Sequence, residues 1–457
     1  MNRATREQGF TLVELVFGVT IMAIMVAAIG GLFLDNLQTV TLGKARAIGL
    51  SLATEKMEHL RDLPYDSLAT QNGTIYPPGT IADNETVVRG SYTFTVHTDI
   101  SYVDDPYDGY ISCPCASGPA AGKPKDLYPY DYKKAQIAVK LTNRNVEVAK
   151  LTTDIAGKAA ETSSNTGILS ITVVNAAGQP IPNATVTIVN TNPNPDVNIT
   201  TTTDNNGLVV VPKLPPDSNR RYVVTASFPG YSSEGTIADP PGAQTAVKLN
   251  PNVLAQQITG VNFAIDQLST LYVHVTDTSG NPIPSLNVTT ISAKKTMTTP
   301  DVFKYNQSAT TNATGDITLS NMEWDSYRFT VPGGNYIVSA SPYAPVALDP
   351  NSSKTVNLVV SPSSSWPRIT TVDPLTITTG STFTGFDVTG VSFASGMSLT
   401  LKKTGQSDIN GTSCTVTGST LLTCNLNLTG AAVGAWDVVV TKSGNSTTQV
   451  GGLDVTP

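Results

Sequence analysis

The residues suited to catalysis are few in this chain and lie far apart. Its 457 residues include three histidines and four cysteines. His59, His97 and His274 fall in a predicted helix, a predicted strand and a strand of a later module. A catalytic triad needs its members within hydrogen-bond reach, and no Gly-x-Ser-x-Gly elbow in a strand-to-helix setting or phosphate-binding glycine loop occurs. The sequence therefore predicts a protein that is not an enzyme and has no cofactor.

One acidic segment places oxygen ligands close together. Asp104, Asp105 and Asp108 lie in the run Asp-Asp-Pro-Tyr-Asp-Gly. Carboxylates of this kind bind Ca²⁺, although the spacing is not that of an EF-hand loop. The same residue types build ordinary turns. Turn formation is the preferred interpretation, and a Ca²⁺ site made by these three carboxylates is the alternative.

The cysteines form two pairs with different spacings. Cys414 and Cys424 flank a segment that reads as a hairpin, and we predict a disulfide between them in an oxidising compartment. Closing so short a loop contributes about 2–3 kcal/mol of stability. Cys113 and Cys115 are separated by a single proline. A bridge there requires a strained ring, so free thiols and a redox-labile bridge both stay open.

The most distinctive stretch is the almost wholly apolar run from Phe10 to Leu34. About 25 helical residues at about 1.5 Å each cover about 37 Å, enough to cross a hydrocarbon core of about 30 Å. A polar leader with Arg3 and Arg6 precedes the run, and one carboxylate, Glu14, interrupts it. An intramembrane charge costs about 2.5–3.5 kcal/mol on insertion scales, so Glu14 needs a partner.

The segment Gly9-Phe10-Thr11-Leu12-Val13-Glu14 resembles the cleavage and methylation signal of type IV prepilins and pseudopilins. The resemblance implies that a prepilin peptidase cuts between Gly9 and Phe10 and methylates the new amine of Phe10. It also implies that Glu14 pairs with the N-terminal amine of a neighbouring subunit. The apolar helix would first cross the cytoplasmic membrane once, with its basic N-terminus inside, and later lie in the core of an extracellular filament.

The helix that carries these residues continues beyond the apolar run. Between residues 37 and 60, apolar residues recur at spacings of three to five with charged residues between them, and Pro64 ends the pattern. We predict one helix over 10–62, with 10–34 in the membrane or filament core. Residues 63–158 are predicted to form a small antiparallel β head packed on that helix. Its predicted strands lie at 92–96, 135–141 and 146–151.

The rest of the chain has the composition of an all-β protein. Only 14% of its residues are charged, and by inspection threonine, serine, asparagine, glycine, valine and proline dominate, which favours β-sandwiches with many turns. The length predicts several domains. The net charge of -7 comes without a basic stripe, so no nucleic-acid partner is predicted.

Beyond a polar linker at 159–166, the chain repeats itself. Residues 169–186 align with 271–288, and both contain Gly-x-Pro-Ile-Pro; 203–207 align with 311–315, and 222–226 with 336–340. Three matches in the same order predict a duplicated domain. The units, 167–266 and 267–362, resemble the carboxypeptidase-regulatory-like sandwich. Residues 363–457 resemble an Ig-like domain of the IPT/TIG type.

The predicted fold is multidomain: a 1–9 leader, a pilin-like α+β portion, and three all-β sandwiches. The predicted function is that of a structural subunit of a type IV pilus-like surface filament, displaying its sandwiches for adhesion or cell contact. The alternatives are a pseudopilin of a secretion or DNA-uptake machine and a membrane-tethered carbohydrate-binding protein. Expected partners are other pilin subunits, prepilin peptidase, the inner-membrane assembly machinery, the membrane before assembly, and an unknown surface or host-cell ligand.

Overall fold

The computed structural model describes residues 12–111, 113–157 and 165–457. Its first element is a single long helix, α1, Leu12–Asp62. The helix ends two residues before Pro64, because the proline ring cannot continue a helix. A 3₁₀ turn at Tyr65–Ser67 then redirects the chain. The predicted end of the helix is confirmed. Its predicted start at Phe10 lies outside the described residues.

The head is a four-stranded antiparallel sheet that covers one side of the second half of α1. The strands lie in the order β1-β2-β3-β4. Three of them are the predicted strands, extended at their ends, and β1 is an additional edge strand. They are β1 Asn84–Arg89, β2 Tyr92–Val103, β3 Tyr132–Leu141 and β4 Val146–Ala156. The core residues between helix and sheet include Ala45, Leu52, Ala53, Met57, Leu60, Phe94, Val96, Ile100, Ile137 and Val139.

A glycine sets how closely the helix approaches the sheet. Gly49 is buried on the face of α1 that meets β4. A Cβ atom built on Gly49 would lie 2.7 Å from Cγ2 of Val148. Since carbon atoms pack no closer than about 3.5 Å, only glycine allows this approach without a shift of one partner.

The first sandwich has seven strands in two sheets, and its short strand β11 instead pairs with β15 of the second sandwich. One sheet has the order β10-β9-β6-β7, and the other has the order β12-β5-β8, in which β12 runs parallel to β5. Their inward residues form one core that includes Leu169, Ile188, Tyr222 and Phe263. The strands are β5 Gly167–Val174, β6 Thr185–Asn190, β7 Val197–Thr202, β8 Leu208–Leu214, β9 Val223–Ser227, β10 Glu234–Gly235, β11 Thr245–Ala246 and β12 Ile258–Ala264.

The second sandwich repeats this arrangement. One sheet has the order β17-β14-β19-β21, and the other contains β18-β13-β22-β20. The strands are β13 Ser269–Thr276, β14 Asn287–Ser292, β15 Lys295–Thr298, β16 Val302–Phe303, β17 Asn306–Thr310, β18 Asp316–Met322, β19 Asp325–Thr330, β20 Tyr336–Ser341, β21 Val346–Leu348 and β22 Ser353–Ser361.

The last sandwich packs a sheet of order β23-β25-β29-β28 against one that contains β31-β30-β26-β27. Phe386 and Trp436 are fully buried between them. The strands are β23 Arg368–Asp373, β24 Thr376–Thr378, β25 Thr382–Val391, β26 Ser398–Lys402, β27 Ile409–Asn410, β28 Thr412–Thr417, β29 Leu421–Asn427, β30 Gly434–Lys442 and β31 Asn445–Thr456.

The duplication extends to individual hydrogen bonds. In both sandwiches the first strand has a parallel and an antiparallel neighbour in the same places. Thr203 and Thr311 occupy matching positions, and their hydroxyls donate to the carbonyls of Ile181 and Ile283 at 2.6 and 2.7 Å. Two of the three predicted sequence matches therefore correspond to equivalent structure.

The third predicted match is wrong. β9 pairs with β6, and the strand that pairs with β14 in the same way is β19. The counterpart of Tyr222 is Tyr327, and each phenol donates to a nearby preceding carbonyl at 2.7 Å. Tyr336 instead begins β20, which pairs with β22 and β31. Tyrosine and valine are common in strands, so the Tyr-x-Val pattern occurs in β20 as well and does not identify equivalent strands.

Strand β20 joins two sandwiches into one sheet. Ser339 and Ala340 of β20 pair with Thr448 and Gln449 of β31. The resulting sheet has nine strands among the described residues. The second and last sandwiches are therefore connected by backbone hydrogen bonds in addition to the covalent linker.

Candidate functional site

The predicted signal residues lie at the start of the chain. Gly9 and Phe10 are outside the described residues, so the structure leaves their predicted cleavage and methylation as predictions. Glu14 lies within α1. Its proposed pairing with a neighbouring amine stays a prediction.

The first half of α1 contacts no other part of the described chain and is apolar on every side. The large apolar side chains described here are each more than half exposed to solvent, with values from 51% for Ile21 to 80% for Leu12. They include Val13, Leu15, Val16, Phe17, Val19, Ile21, Met22, Ile24, Met25 and Val26. Burying one such side chain is worth about 1.5–3 kcal/mol. Covering them all is therefore favourable by an amount on the order of tens of kcal/mol, and this surface requires an apolar environment.

One polar side chain in this half, that of Thr20, is satisfied within the helix. The Thr20 hydroxyl donates to the carbonyl of Val16 at 2.8 Å. A hydroxyl that bonds back to the preceding turn needs no outside partner in an apolar setting. Within the part of the chain that the structure describes, no helix meets both the length and the hydropathy of a membrane span.

The second half of α1 is fixed to the head by charge as well as by burial. Lys56 pairs with Glu85 at 2.6 Å, and Arg89 pairs with Glu55 at 2.9 Å. Both pairs join the helix to β1. The second half of α1 is thus bound to the head, whereas the first half is exposed and can insert into a lipid bilayer or pack against other helices.

A lysine is buried below the turn that follows α1. Lys133 is 1% exposed, and its ammonium donates to the carbonyls of Tyr65 and Leu68, both at 2.9 Å. It also lies 4.6 Å from the centroid of the Tyr65 ring. Burial, with a smaller contribution from the nearby Lys213 ammonium, lowers the pKa of Lys133 to about 8. This lysine holds the end of the helix onto the sheet.

The acidic segment forms turns by accepting backbone hydrogen bonds. Asp104 accepts from the Ile111 amide at 3.1 Å, and Asp105 accepts from the Tyr107 amide at 2.9 Å. Among the described residues, no group of three or more His, Cys, Asp or Glu side chains is placed to hold a metal ion. Asp104 and Asp105 thus accept hydrogen bonds from nearby backbone amides, and Ca²⁺ binding by Asp104, Asp105 and Asp108 stays an untested alternative.

Two carboxylates in this region are poorly solvated. One oxygen each of Asp104 and Asp126 is buried without a hydrogen-bond partner. Burial raises the pKa of Asp104 to about 7, and the charges of Asp126, Asp131 and Asp108 raise it as well. Burial also raises the pKa of Asp126, and the charges of Asp108 and Asp131 act in the same direction. Within this segment, Asp104 is therefore partly protonated near neutral pH.

Both cysteine pairs are bonded in the structure. Cys414 and Cys424 are joined, with the sulphur atoms 2.10 Å apart, and they connect β28 to β29. Cys113 and Cys115 are also joined, so of the two states left open by the sequence the structure has the bridged one.

The histidines are not brought together. His59 lies near the end of α1, His97 contacts Asn84, and His274 contacts Asp316 at 2.7 Å in the second sandwich. Each belongs to a different sheet or helix, as the sequence indicated.

The head and first sandwich are packed against each other. The Lys213 ammonium lies 5.2 Å from the Tyr102 ring centroid and 4.9 Å from that of Tyr130. The Tyr76 phenol donates to the carbonyl of Pro195 at 2.8 Å. The buried apolar residues at this joint are Ile111, Tyr130 and Ile168.

The next two joints use strand pairing. β11 of the first sandwich pairs with β15 of the second, and Lys304 donates to the carbonyl of Ser233 at 3.2 Å. At the last joint, Trp366 donates to the carbonyl of Ser446 at 2.9 Å, beside the β20–β31 pairing. The sequence did not reveal whether the sandwiches are connected only by flexible linkers or are packed against one another. These contacts show that they are packed against one another.

Comparison with known proteins identifies two segments of the chain. Residues 4–30 match the prokaryotic N-terminal methylation motif, the type IV prepilin signal, and residues 168–257 match the carboxypeptidase regulatory-like domain. A search of the curated proteins finds no match. The chain therefore carries a prepilin signal and a carboxypeptidase regulatory-like domain, as the sequence motifs implied.

Solved structures with detectable likeness are distant. The Bacillus anthracis TIE protein is 12% identical over 71% of this chain, with a TM-score of 0.18, and the chain spans 57% of its length. The shaft pilin SpaA from Lactobacillus rhamnosus GG is 13% identical over 43% of this chain and 98% of its own, with a TM-score of 0.16. A Streptococcal ancillary pilin is 12% identical over 50% of this chain and 76% of its own, with a TM-score of 0.22.

Proposed function

We propose that this protein is a structural, non-catalytic subunit of a type IV pilus-like surface filament. Before assembly its helix anchors it in the cytoplasmic membrane as a single span. After assembly the same helix lies in the filament core, and the head and three sandwiches face outward for adhesion or cell contact.

The observation that carries the proposal is the division of α1 into two halves. Residues Leu12 to Ile29 expose apolar side chains all round, whereas Leu52, Met57 and Leu60 are buried in the head. A surface this apolar is stable in lipid or among other apolar helices. The match of residues 4–30 to the N-terminal methylation motif supports the second environment, a bundle of pilin helices.

Glu14 is proposed to select the assembled state. In a bilayer its carboxylate lacks a partner, which is costly. In a filament it would pair with the methylated amine of Phe10 on a neighbouring subunit, and that amine becomes available when prepilin peptidase cuts after Gly9. Charge pairing in an apolar core fixes register because each unpaired alternative leaves a buried charge.

The sandwiches are proposed to act as an outward arm. Their three joints are packed or strand-paired, so the last sandwich is held at a defined position relative to the head. A stacked arm suits presentation of a binding surface away from the filament, to a surface or host-cell ligand.

The test is mass spectrometry of filaments sheared from intact cells, with Glu14→Leu and a matched control, Glu58→Gln. Glu58 lies on the same helix, where it pairs with Arg61 on the exposed face. We expect methylated Phe10 at the mature N-terminus of both variants. The amount of Glu14→Leu in filaments should fall about tenfold or more, since leaving one buried charge unpaired costs about 3–5 kcal/mol.

Each other outcome points elsewhere. Equal incorporation of Glu14→Leu and the control contradicts the proposed pairing. A processed protein that never appears outside the envelope supports a pseudopilin of a secretion or DNA-uptake machine. An uncut Met1 found only in membranes overturns the filament proposal and leaves a tethered surface protein.

A further inference from the structure

A cleft lies between the second and last sandwiches, beside the strand pairing that joins them. Its volume is about 300 Å³. Residues of β19, β20, β22, β23, β25 and β31 line it, together with the loop that follows β20. Most of these side chains are apolar, and they include Phe329, Ile337, Ala344, Leu358, Ile369 and Val391. Ligand sites are often clefts of this size and polarity at the junction of two domains.

One charged side chain lines the cleft, and it is a cation. The Arg368 guanidinium stacks on the Tyr336 ring, 4.3 Å from its centroid. An aromatic ring this close to a guanidinium attracts it through a cation–π interaction, which limits how far Arg368 can move. Tyr343, whose phenol donates to the carbonyl of Thr370, closes one wall.

Among the residues that the structure describes, no carboxylate forms an ion pair with the Arg368 guanidinium. Its Nη1 atom is buried and has no hydrogen-bond partner among the described residues. No aspartate or glutamate lines the cleft. A buried donor on a charged group that is left unsatisfied carries a large desolvation cost, so native proteins usually supply an acceptor.

We propose that this cleft binds a small organic carboxylate with an apolar body. The carboxylate would accept hydrogen bonds from the edge of Arg368, a pairing that is shorter and stronger than one between neutral groups. The apolar body would lie against Phe329 and Ile337. A single cation and apolar walls favour a monoanion of this kind over inorganic phosphate, which needs several donors. The site is independent of filament assembly, because all of its residues belong to two sandwiches of one chain.

The test is calorimetric titration of the full-length chain in a neutral maltoside detergent. Phenylacetate is the probe, and phenylacetamide, which has the same shape without the charge, is its control. We expect phenylacetate to bind at one site with a dissociation constant of about 1–10 mM, ordinary for a ligand of about ten heavy atoms. Phenylacetamide should bind at least about tenfold more weakly, because it lacks the charge-assisted pair.

Two variants and a matched control locate the site. Arg368→Gln removes the cation and should weaken phenylacetate binding about tenfold or more. Thr370→Trp should also block binding by filling the cleft while leaving the guanidinium in place. Arg328→Gln is the control, since Arg328 also stacks on an aromatic ring, that of Phe303 at 4.6 Å, and does not line the cleft. Its binding should equal that of the unmodified chain.

Three results overturn the proposal. One is the absence of phenylacetate binding at tens of millimolar. Another is equal binding of phenylacetate and phenylacetamide, which would show a merely apolar cleft. The third is unchanged binding in both Arg368→Gln and Thr370→Trp, which would place the ligand elsewhere. Inorganic phosphate binding as tightly as phenylacetate would replace the proposed ligand class with a simple anion site.

Discussion

Two alanine substitutions in α1 should have opposite effects on the stability of the head. Gly49→Ala places a methyl group 2.7 Å from Cγ2 of Val148, on a stiff, β-branched side chain. Gly43→Ala, less than two helical turns away, meets nothing within 4 Å. The two changes are chemically identical, so they share the same gain in helix propensity.

The magnitudes follow from two terms. Alanine in place of an interior helical glycine is worth about 0.8–1 kcal/mol. Overpacking a well-packed core costs about 1–3 kcal/mol. Gly43→Ala should therefore raise the free energy of opening by about 1 kcal/mol, whereas Gly49→Ala should leave it unchanged or lower it by up to about 2 kcal/mol.

Hydrogen–deuterium exchange of the full-length protein in detergent provides the assay. Peptides from residues 45–62 and from β4 report the opening of the helix–sheet contact without requiring the sandwiches to unfold. An increase in protection for Gly49→Ala equal to that for Gly43→Ala would refute the close approach. It would show that the helix lies farther from β4 than the structure places it.

Further predictions concern titration and the disulfide. The raised pKa of Asp104, about 7, means that the folded state binds a proton more tightly than the unfolded state does. The head should therefore lose stability as the pH rises from about 4 to about 7. Asp104→Asn should reduce that slope, and thermal unfolding at a series of pH values checks it. The lowered pKa of Lys133, about 8, has the opposite effect: stability should rise between about pH 8 and 10.5, and Lys133→Met should reduce that rise in the same titration. Replacing Cys414 and Cys424 with serine should cost about 2–3 kcal/mol, measured by denaturant unfolding; an unchanged midpoint would contradict it.

Local features of the fold were predictable because they depend on neighbours in sequence. The end of α1 follows from Pro64, and strands such as β2 and β3 follow from the alternation of apolar and polar residues. The duplicated sandwiches followed from two repeated blocks. The third repeated block was assigned to the wrong strand. The sequence of a strand shows its alternation of apolar and polar residues, but it does not show which strand it pairs with, and β19 and β20 differ in their pairing partners.

The candidate sites also differ in whether they depend on neighbouring residues in sequence or on tertiary contacts. The sequence alone points to Gly9, Phe10 and Glu14, since a peptidase signal is read as a linear motif. The buried amine of Lys133 had no signal in sequence, because an exposed and a buried lysine have the same neighbours in a strand. The sequence also gave no signal for the Arg368 guanidinium, because the residues that line a cleft are distant in sequence and no local pattern shows whether an acidic residue is among them.

The sequence by itself determined the apolar helix with its single carboxylate, the head that follows it, and three β-sandwiches. These depend on periodicity, turn residues and motifs within short windows of chain. Only the tertiary structure decided that the sandwiches are stacked and that β20 carries a sheet from one to the next. The structure also showed that Arg368 lines a cleft and that no described carboxylate pairs with it. Those features arise from contacts between residues distant in sequence, and such contacts depend on how whole sheets are placed.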